Sequence, residues 1–336
     1  MMKALVTGST GFIGGALCTA LVEKGFSVRA FHRSTSNLSL IEDLHVEHAI
    51  GDLSKPASLE SAMQGVDVVF HTAAMLGIKS NAAQHTATTI LGTRSVMETA
   101  LRAGVQRVIH TSSVAALGVP PIPSELTLPE KSPQLNEHAT WNVRPEHWLY
   151  GFSKYQAEME IQKIVALGLD VVITNPSYVV GPGDLYRTEN SPIVSFYRKK
   201  IPFIPTGGIN IVHIKDVVAG HLAAMENGKR GERYILANEN LTFKQMFSQL
   251  SEITAVPAPR LLLHGKIARL TVVPLQLIRS LFNLPVPVEL IRFAGYGFYF
   301  NNHKSMQDLN LQYHYSAYQA LQEAYIWFKN HSDNNR

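Results

Sequence analysis

The chain has 336 residues, 46% hydrophobic and only 17% charged, a composition that builds a packed core and excludes a disordered chain. Thirty Lys and Arg against 26 Asp and Glu leave a formal charge of +4, and no basic run exceeds Arg198-Lys199-Lys200, which excludes a nucleic-acid footprint. The single cysteine, Cys18, excludes an intrachain disulfide and fits a reducing compartment.

Met1-Met2-Lys3 runs straight into an apolar, strand-like Ala4-Leu5-Val6 with no signal-peptide core, so a cytoplasmic protein is expected. Short β-branched runs at 3–7, 27–31, 46–50, 68–72, 107–112, 171–175 and 209–212 read as strands. Helical periodicity fills 13–23, 58–64, 87–103 and 149–166. Parallel strands need long crossovers, so this alternation predicts an α/β fold, a doubly wound parallel sheet of the Rossmann type. Past Pro176 the pattern loosens into Pro, Gly and aromatic residues, then a helical block from about 242. The expected division is a dinucleotide-binding domain over 1–175 and 207–232, with a smaller, mostly helical substrate-binding region over 176–206 and 233–336. The apolar stretch 261–282 is interrupted by Lys266, Arg269, Pro274 and Arg279, so no transmembrane segment is expected.

Thr7-Gly8-Ser9-Thr10-Gly11-Phe12-Ile13-Gly14 joins the first strand to the first helix. Its G-x-x-G-x-x-G spacing lets the backbone approach a pyrophosphate whose charge rests on the helix N-terminus. An NAD site commonly places an acid about 20 residues further on, to hold the ribose 2′-hydroxyl. Here no Asp or Glu occurs from 24 to 41, while Arg29 and Arg33 flank the predicted strand end. A guanidinium there suits a 2′-phosphate, so NADP(H) is favoured, with NAD(H) as the alternative. Cys18, on the helix after this loop, reads as packing.

Tyr150-Gly151-Phe152-Ser153-Lys154 places a phenol and an ammonium at i and i+4, on one face of a helix. A tyrosine titrating near pH ~10 needs a shift of about three units to exchange protons near neutrality, roughly 4 kcal/mol, and a charge ~4 Å away at an effective dielectric near 20 supplies that much. With 12 tyrosines the spacing also arises by accident: Tyr325 and Lys329 match it, but beside Trp327 and Phe328 they read as packing. Upstream, a predicted strand ends in His110-Thr111-Ser112-Ser113. A hydroxyl at the carboxyl end of such a strand can hold a substrate carbonyl, although either serine taken alone reads better as a strand terminator.

Together TGSTGFIG, GDL, HTAA, HTSSVAALG, YGFSK, NPSYVVGPGD and HIKDV resemble the extended short-chain dehydrogenase/reductases, and NPSYVVGPGD with VRAFHR resembles their dihydroflavonol-4-reductase-like branch most. The resemblance implies a phosphate loop of Gly8, Gly11 and Gly14 with Phe12 and Ile13 under the pyrophosphate, Arg33 at the adenosine phosphate, and Asp52-Leu53 at the adenine. It implies that Ala73, Ala74 and Thr111 line the cofactor cleft and that Pro176, Ser177 and Tyr178 border the nicotinamide. Ser113, Tyr150 and Lys154 would be the catalytic set. Two positions depart from the pattern: Thr89 stands where an Asn is common, and Asn175 stands where many nucleotide-sugar relatives have Arg.

The expected reaction is NADP(H)-dependent reduction of a small-molecule ketone or aldehyde. A nucleotide-sugar epimerase or dehydratase, and a non-catalytic dinucleotide sensor, are the alternatives. Trp141, Trp148, Phe152, Tyr178, Tyr186, Phe196, Tyr197, Phe203 and Ile204 suggest an apolar or aromatic substrate, or else loop packing. For a sugar diphosphate, Arg187 and the 198–200 triplet would supply the cations. By analogy a homodimer is expected through the helices at 87–103 and 150–166. The histidine spacings offer no metal site.

Overall fold

A computed structural model describes residues 1–75, 82–121, 128–185, 191–270 and 292–333. The strands β1 (Lys3–Thr7), β2 (Ser27–His32), β3 (Glu47–Ile50), β4 (Val68–His71), β5 (Arg107–Thr111) and β6 (Val171–Pro176) pair in parallel. A later strand, Arg233–Leu236, completes a seven-stranded parallel sheet at the β6 edge. Alternating side chains of β1 seed a core on each face. Ala4 and Val6 pack with Leu17, Cys18 and Leu21 of α1 (Phe12–Glu23) and with Val217 and Leu222 of a later helix. Leu5 turns the other way, onto Leu59 of α2 (Pro56–Met63) and onto Val96 and Met97. Strands covered on both sides are mostly apolar, and Arg29, His71, His110 and Asn175 are among the polar side chains that these strands bury.

The crossover after β4 begins with the short α3 (Ala82–His85), widens into a π-helical turn over Thr86–Leu91, and continues as α4 (Gly92–Arg102). The 149–166 helix is α5 (Leu149–Ala166), packed beside α4. After β6 come β7 (Tyr178–Val180), α6 (Pro192–Tyr197), β8 (Ile204–Pro205), β9 (Gly208–His213), α7 (Ile214–Asn227) and β10, the seventh sheet strand (Arg233–Leu236). They are followed by β11 (Glu239–Thr242), α8 (Phe243–Thr254), β12 (Leu262–Leu263), α9 (Gly265–Leu270), β13 (Gly297–Phe298), α10 (His303–Asp308) and α11 (Ala317–Asp333).

Two strands fall elsewhere than expected. The 209–212 strand, assigned to the dinucleotide domain, is the centre of a small sheet where it pairs with β7, β11 and β13. Residues 233–236, assigned to the substrate region, belong to the large sheet. Asn210 explains the first: its buried amide bonds Ser177 Oγ at 2.6 Å and Asn240 Oδ1 at 2.8 Å, partners in the segments that flank the large sheet's last strands. A third core lies between the small sheet and α6, α8 and α11. No helix of the described residues is long and apolar enough to cross a membrane, and 271–282 of the questioned apolar stretch lie outside them.

Candidate active site

The glycine loop sits at the carboxyl end of β1. Gly8 has φ +70°, and a Cβ there would lie 2.8 Å from both the nitrogen and Cα of Ala73 and 2.9 Å from Thr72 Oγ1. A Cβ on Gly14 would overlap the Gly8 carbonyl and lie 2.8 Å from Thr72 Oγ1. These contacts draw the loop down onto the end of β4 and leave the first turn of α1 open. That helix has Gly11 at its N-cap, no side chain capping it and no acid in its first turn, which suits a pyrophosphate. Phe12 packs toward Gly183, and Ile13 is half-buried against the α1 core.

The two arginines have different fates. Arg29 is buried, donates to the carbonyls of Ala62 at 2.6 Å and Gln64 at 2.9 Å, and pairs with Glu47 at 2.9 Å. Its guanidinium is therefore a clip between β2, β3 and α2, which leaves Arg33 as the guanidinium at the strand end. Arg33 is exposed just past β2. Asp52 follows β3, the parallel neighbour of β2, and accepts from Ser54 N and Oγ at 2.9 and 2.7 Å. Those bonds, with a smaller push from Arg33, hold its carboxyl below the usual range. Leu53 packs its side chain on Gly92, leaving backbone rather than side chain for any adenine contact.

Lys154 is 2% exposed, and its Nζ donates to the carbonyl of Thr111, the last residue of β5, at 2.7 Å. Burial pushes its pKa down to about 8, partly countered by the Glu158 carboxylate. Thr111 Oγ1 pairs instead with His221 Nε2 at 2.7 Å, so this threonine holds the lysine through its carbonyl alone. One residue beyond the strand, the serines separate. Ser112 is buried and donates to Glu158 Oε1 at 2.5 Å, whereas Ser113 is half-buried and caps the short 3-10 turn Val114–Leu117, accepting from Ala115 N at 3.2 Å. A Cβ on Gly151 would stand 2.9 Å from the Ala115 carbonyl, so the first turn of α5, which carries Tyr150, abuts the turn that Ser113 begins. The lysine tie and this glycine contact bring the ends of β5 and α5 together, with Ser113, Tyr150 and Lys154 on the facing segments. The other Tyr/Lys pair is elsewhere: Tyr325 packs on Tyr197 with ring centroids 5.2 Å apart.

Sequence reasoning missed several groups around this centre. His85, 4% exposed, lies with its ring 6.4 Å from that of Tyr150 and its Nδ1 3.4 Å from Ser153 Oγ, and burial lowers its pKa. Thr89 sits in the π-turn and accepts from Met75 N at 3.1 Å, which ties that departure position to the loop after β4. Glu158 lies four residues past Lys154, a spacing that could have flagged it. Pro176 is buried at the end of β6, Ser177 bonds Asn210, and Tyr178 opens β7.

The aromatic residues divide. Trp148 lies against Phe293 and Phe298, with centroids 5.1 and 5.8 Å apart, and Trp141 against Phe152 and Tyr155, at 5.7 and 6.1 Å. This group flanks the turn that carries Tyr150. Phe196, by contrast, is stacked on Phe247 in the third core with Ile204, because the apolar side of α6 faces α8 and α11. Tyr186 and Arg187 lie outside the described residues. Among those residues no group of three or more His, Cys, Asp or Glu side chains could hold a metal ion. Cys18 is buried, and burial raises its pKa to about 12.

A parallel sheet with a glycine loop at its first strand end and a buried lysine one turn past a tyrosine defines a nicotinamide-dinucleotide oxidoreductase of the Rossmann type. The sequence profile of the NAD dependent epimerase/dehydratase family matches residues 4–237, and the chain belongs to that family, the extended short-chain dehydrogenase/reductases. It is 34% identical over 340 residues to a dihydroflavonol 4-reductase-like protein of Synechocystis sp., covering 97% of this chain and 94% of that one. It is also 34% identical over 336 residues to sterol demethylase protein B of Methylococcus capsulatus, covering 98% of each. The crystal structure of gox2253 superposes with a TM-score of 0.83 at 33% identity, covering 98% of this chain and 99% of that one. The protein is thus an NAD(P)-dependent oxidoreductase acting on CH–OH or carbonyl groups.

Proposed function

We propose that the protein is an NADP(H)-dependent reductase of a ketone or aldehyde on an apolar, ring-bearing molecule. The observation that carries this reading is the buried Lys154 ammonium at the end of β5, on the helical face of Tyr150 and beside the turn begun by Ser113. A reduced nicotinamide dinucleotide held by these residues would supply the hydride that the carbonyl carbon accepts. Ser113 Oγ–H and the Tyr150 hydroxyl hold the carbonyl oxygen, and Tyr150 gives it the proton that completes the alcohol. Solvent returns that proton to the phenolate. Lys154 stabilises the phenolate and holds the nicotinamide ribose.

NADP(H) is favoured because Arg33 stands exposed at the strand end where an acid would select NAD(H). In this reading Gly8, Gly11 and Gly14 cradle the pyrophosphate, Phe12 and Ile13 lie beneath it, and the backbone at Asp52-Leu53 meets the adenine. Ala73 and Ala74 line the cleft, and Pro176 to Tyr178 border the nicotinamide. The rings of Trp148, Phe293 and Phe298 beside α5 suit an apolar substrate, as do the names of the dihydroflavonol and sterol relatives. A homodimer through α4 and α5 remains the arrangement that the resemblance implies.

The test is purified protein with NADPH against aldehydes, diketones and flavonoid- or steroid-like ketones. Net NADPH oxidation is expected, falling about 10²- to 10⁴-fold in Tyr150→Phe. Intact turnover in that variant, or isomerisation of a UDP-sugar without net NADPH use, would refute the proposal.

A further inference from the structure

Behind Ser113 lies a set of polar groups gathered around one buried carboxylate. Glu158, 2% exposed on α5, accepts at Oε1 from Ser112 Oγ at 2.5 Å and from Asn175 Nδ2 at 2.7 Å, and at Oε2 it meets Arg233 Nη1 at 3.1 Å. The same Asn175 Nδ2 donates to the main-chain carbonyl of Ser113 at 2.9 Å. A carbonyl and a carboxylate can only accept, so the orientation of this amide is fixed by its two partners. Arg233 is held in turn by the carbonyls of Glu137 at 2.8 Å and Ala139 at 2.5 Å. Four segments thus meet at one point: the ends of β5 and β6, the start of β10, and α5.

The geometry points to Glu158 as a positioning residue for the reaction. Acting through Asn175 it holds the main-chain carbonyl of Ser113, and through the Ser112 hydroxyl it anchors the preceding residue, so that the hydroxyl of Ser113 is presented toward Tyr150. The inference rests on the catalytic reading of Ser113 given above. It also accounts for both sequence oddities at the site. Of two adjacent serines one is consumed by the clamp and one is left for the substrate. Asn175, standing where nucleotide-sugar relatives carry a cation, supplies the N–H that a carbonyl needs, while the cation comes from Arg233 on the neighbouring strand.

The test is a double-mutant cycle on a carbonyl compound that the unaltered protein reduces, comparing it with Glu158→Gln, Ser113→Ala and the double variant. Glu158→Gln keeps the shape and removes the charge. It is expected to lower kcat at least about tenfold, with NADPH affinity within about twofold, and to change kcat less than about twofold once Ser113 is Ala. An equal loss in both backgrounds, or wild-type kcat in folded Glu158→Gln, overturns the clamp. Should Glu158→Gln fail to fold, Ser112→Ala, which removes one buried bond of the clamp and no charge, is taken through the same cycle with the same two outcomes. If Ser113→Ala alone turns over at the wild-type rate, the functional reading is what has failed.

Discussion

Gly14→Ala tests the phosphate loop most directly, because the structure says where the added methyl goes. It would overlap the Gly8 carbonyl and come within 2.7 Å of the Gly8 carbonyl carbon and 2.8 Å of Thr72 Oγ1. Ordinary carbon contacts run about 3.5–4.0 Å, so the loop must retreat by roughly 1 Å from a strand end it cannot displace, at a cost of about 1–3 kcal/mol. If the strain falls on the bound form, NADPH affinity drops about 5- to 150-fold, a decade for each ~1.4 kcal/mol. If it falls on the fold, an unfolding entropy near ~2 cal/mol/K per residue makes the change in Tm about 2–4 °C. Calorimetric titration with NADPH and a thermal melt together capture both. Gly25→Ala is the control: Gly25 has φ +79° and nothing within 4 Å of a new Cβ, so it is expected to cost about 1 kcal/mol of stability and leave NADPH affinity unchanged. Wild-type affinity and Tm in Gly14→Ala would show that the loop does not pack as described.

Two further outcomes are expected. Arg33→Ala should weaken NADPH about tenfold and NADH by less than about twofold, since only the former carries the 2′-phosphate; equal losses for both would remove Arg33 from that role. Burial holds His71 at about 3 and His221 at about 4, both below an unfolded value near ~6.5. The unfolded chain therefore takes up protons first, and the stability these groups contribute is complete above pH ~6.5 and lost as pH falls toward 4 and then 3. At pH 5 each costs about 2 kcal/mol, so urea unfolding at pH 7.5 and pH 5 should differ by about 4 kcal/mol or more. A flat profile would mean that neither imidazole is buried neutral.

What was legible in the sequence was local, and what was not depends on partners far along the chain. Strands β1, β2, β4, β5 and β6 are short, mostly apolar runs with largely buried side chains, so their local pattern marks them. The seventh strand opens on Arg233 and is four residues long, and only its register on β6 identifies it. The glycine loop and the Tyr150/Lys154 pair follow from spacing within one turn. That Ser112, unlike Ser113, is tied up in a buried side-chain bond depends on Glu158, 46 residues away. Arg29 and Arg33 look alike in a string of residues, yet one meets carbonyls on α2's C-terminal side and the other meets solvent. Trp148 and Phe196 are not separable in the sequence, because a ring beside the Tyr150 turn and a ring in the third core are alike in composition.

The buried charges of α5 follow one logic. Tyr150, Lys154 and Glu158 lie at i, i+4 and i+8, so a carboxylate stands on the same helical face as the phenol, two turns away. Left unpaired in a site of low polarity, its charge would oppose ionisation of Tyr150 and offset the help of the lysine. Arg233, Ser112 and Asn175 all donate to it, which neutralises its field over distance and fixes it in place. Lys154 has the opposite treatment: it is equally buried, its ammonium donates to the Thr111 carbonyl rather than to a carboxylate, and burial draws its pKa down to about 8. A lysine desolvated to that degree is still mostly charged at pH 7, and it gains the most from a neighbouring phenolate. A compensated anion and a less compensated cation thus share one helix face, and in the proposed mechanism a phenolate at Tyr150 would be the partner from which this cation gains most.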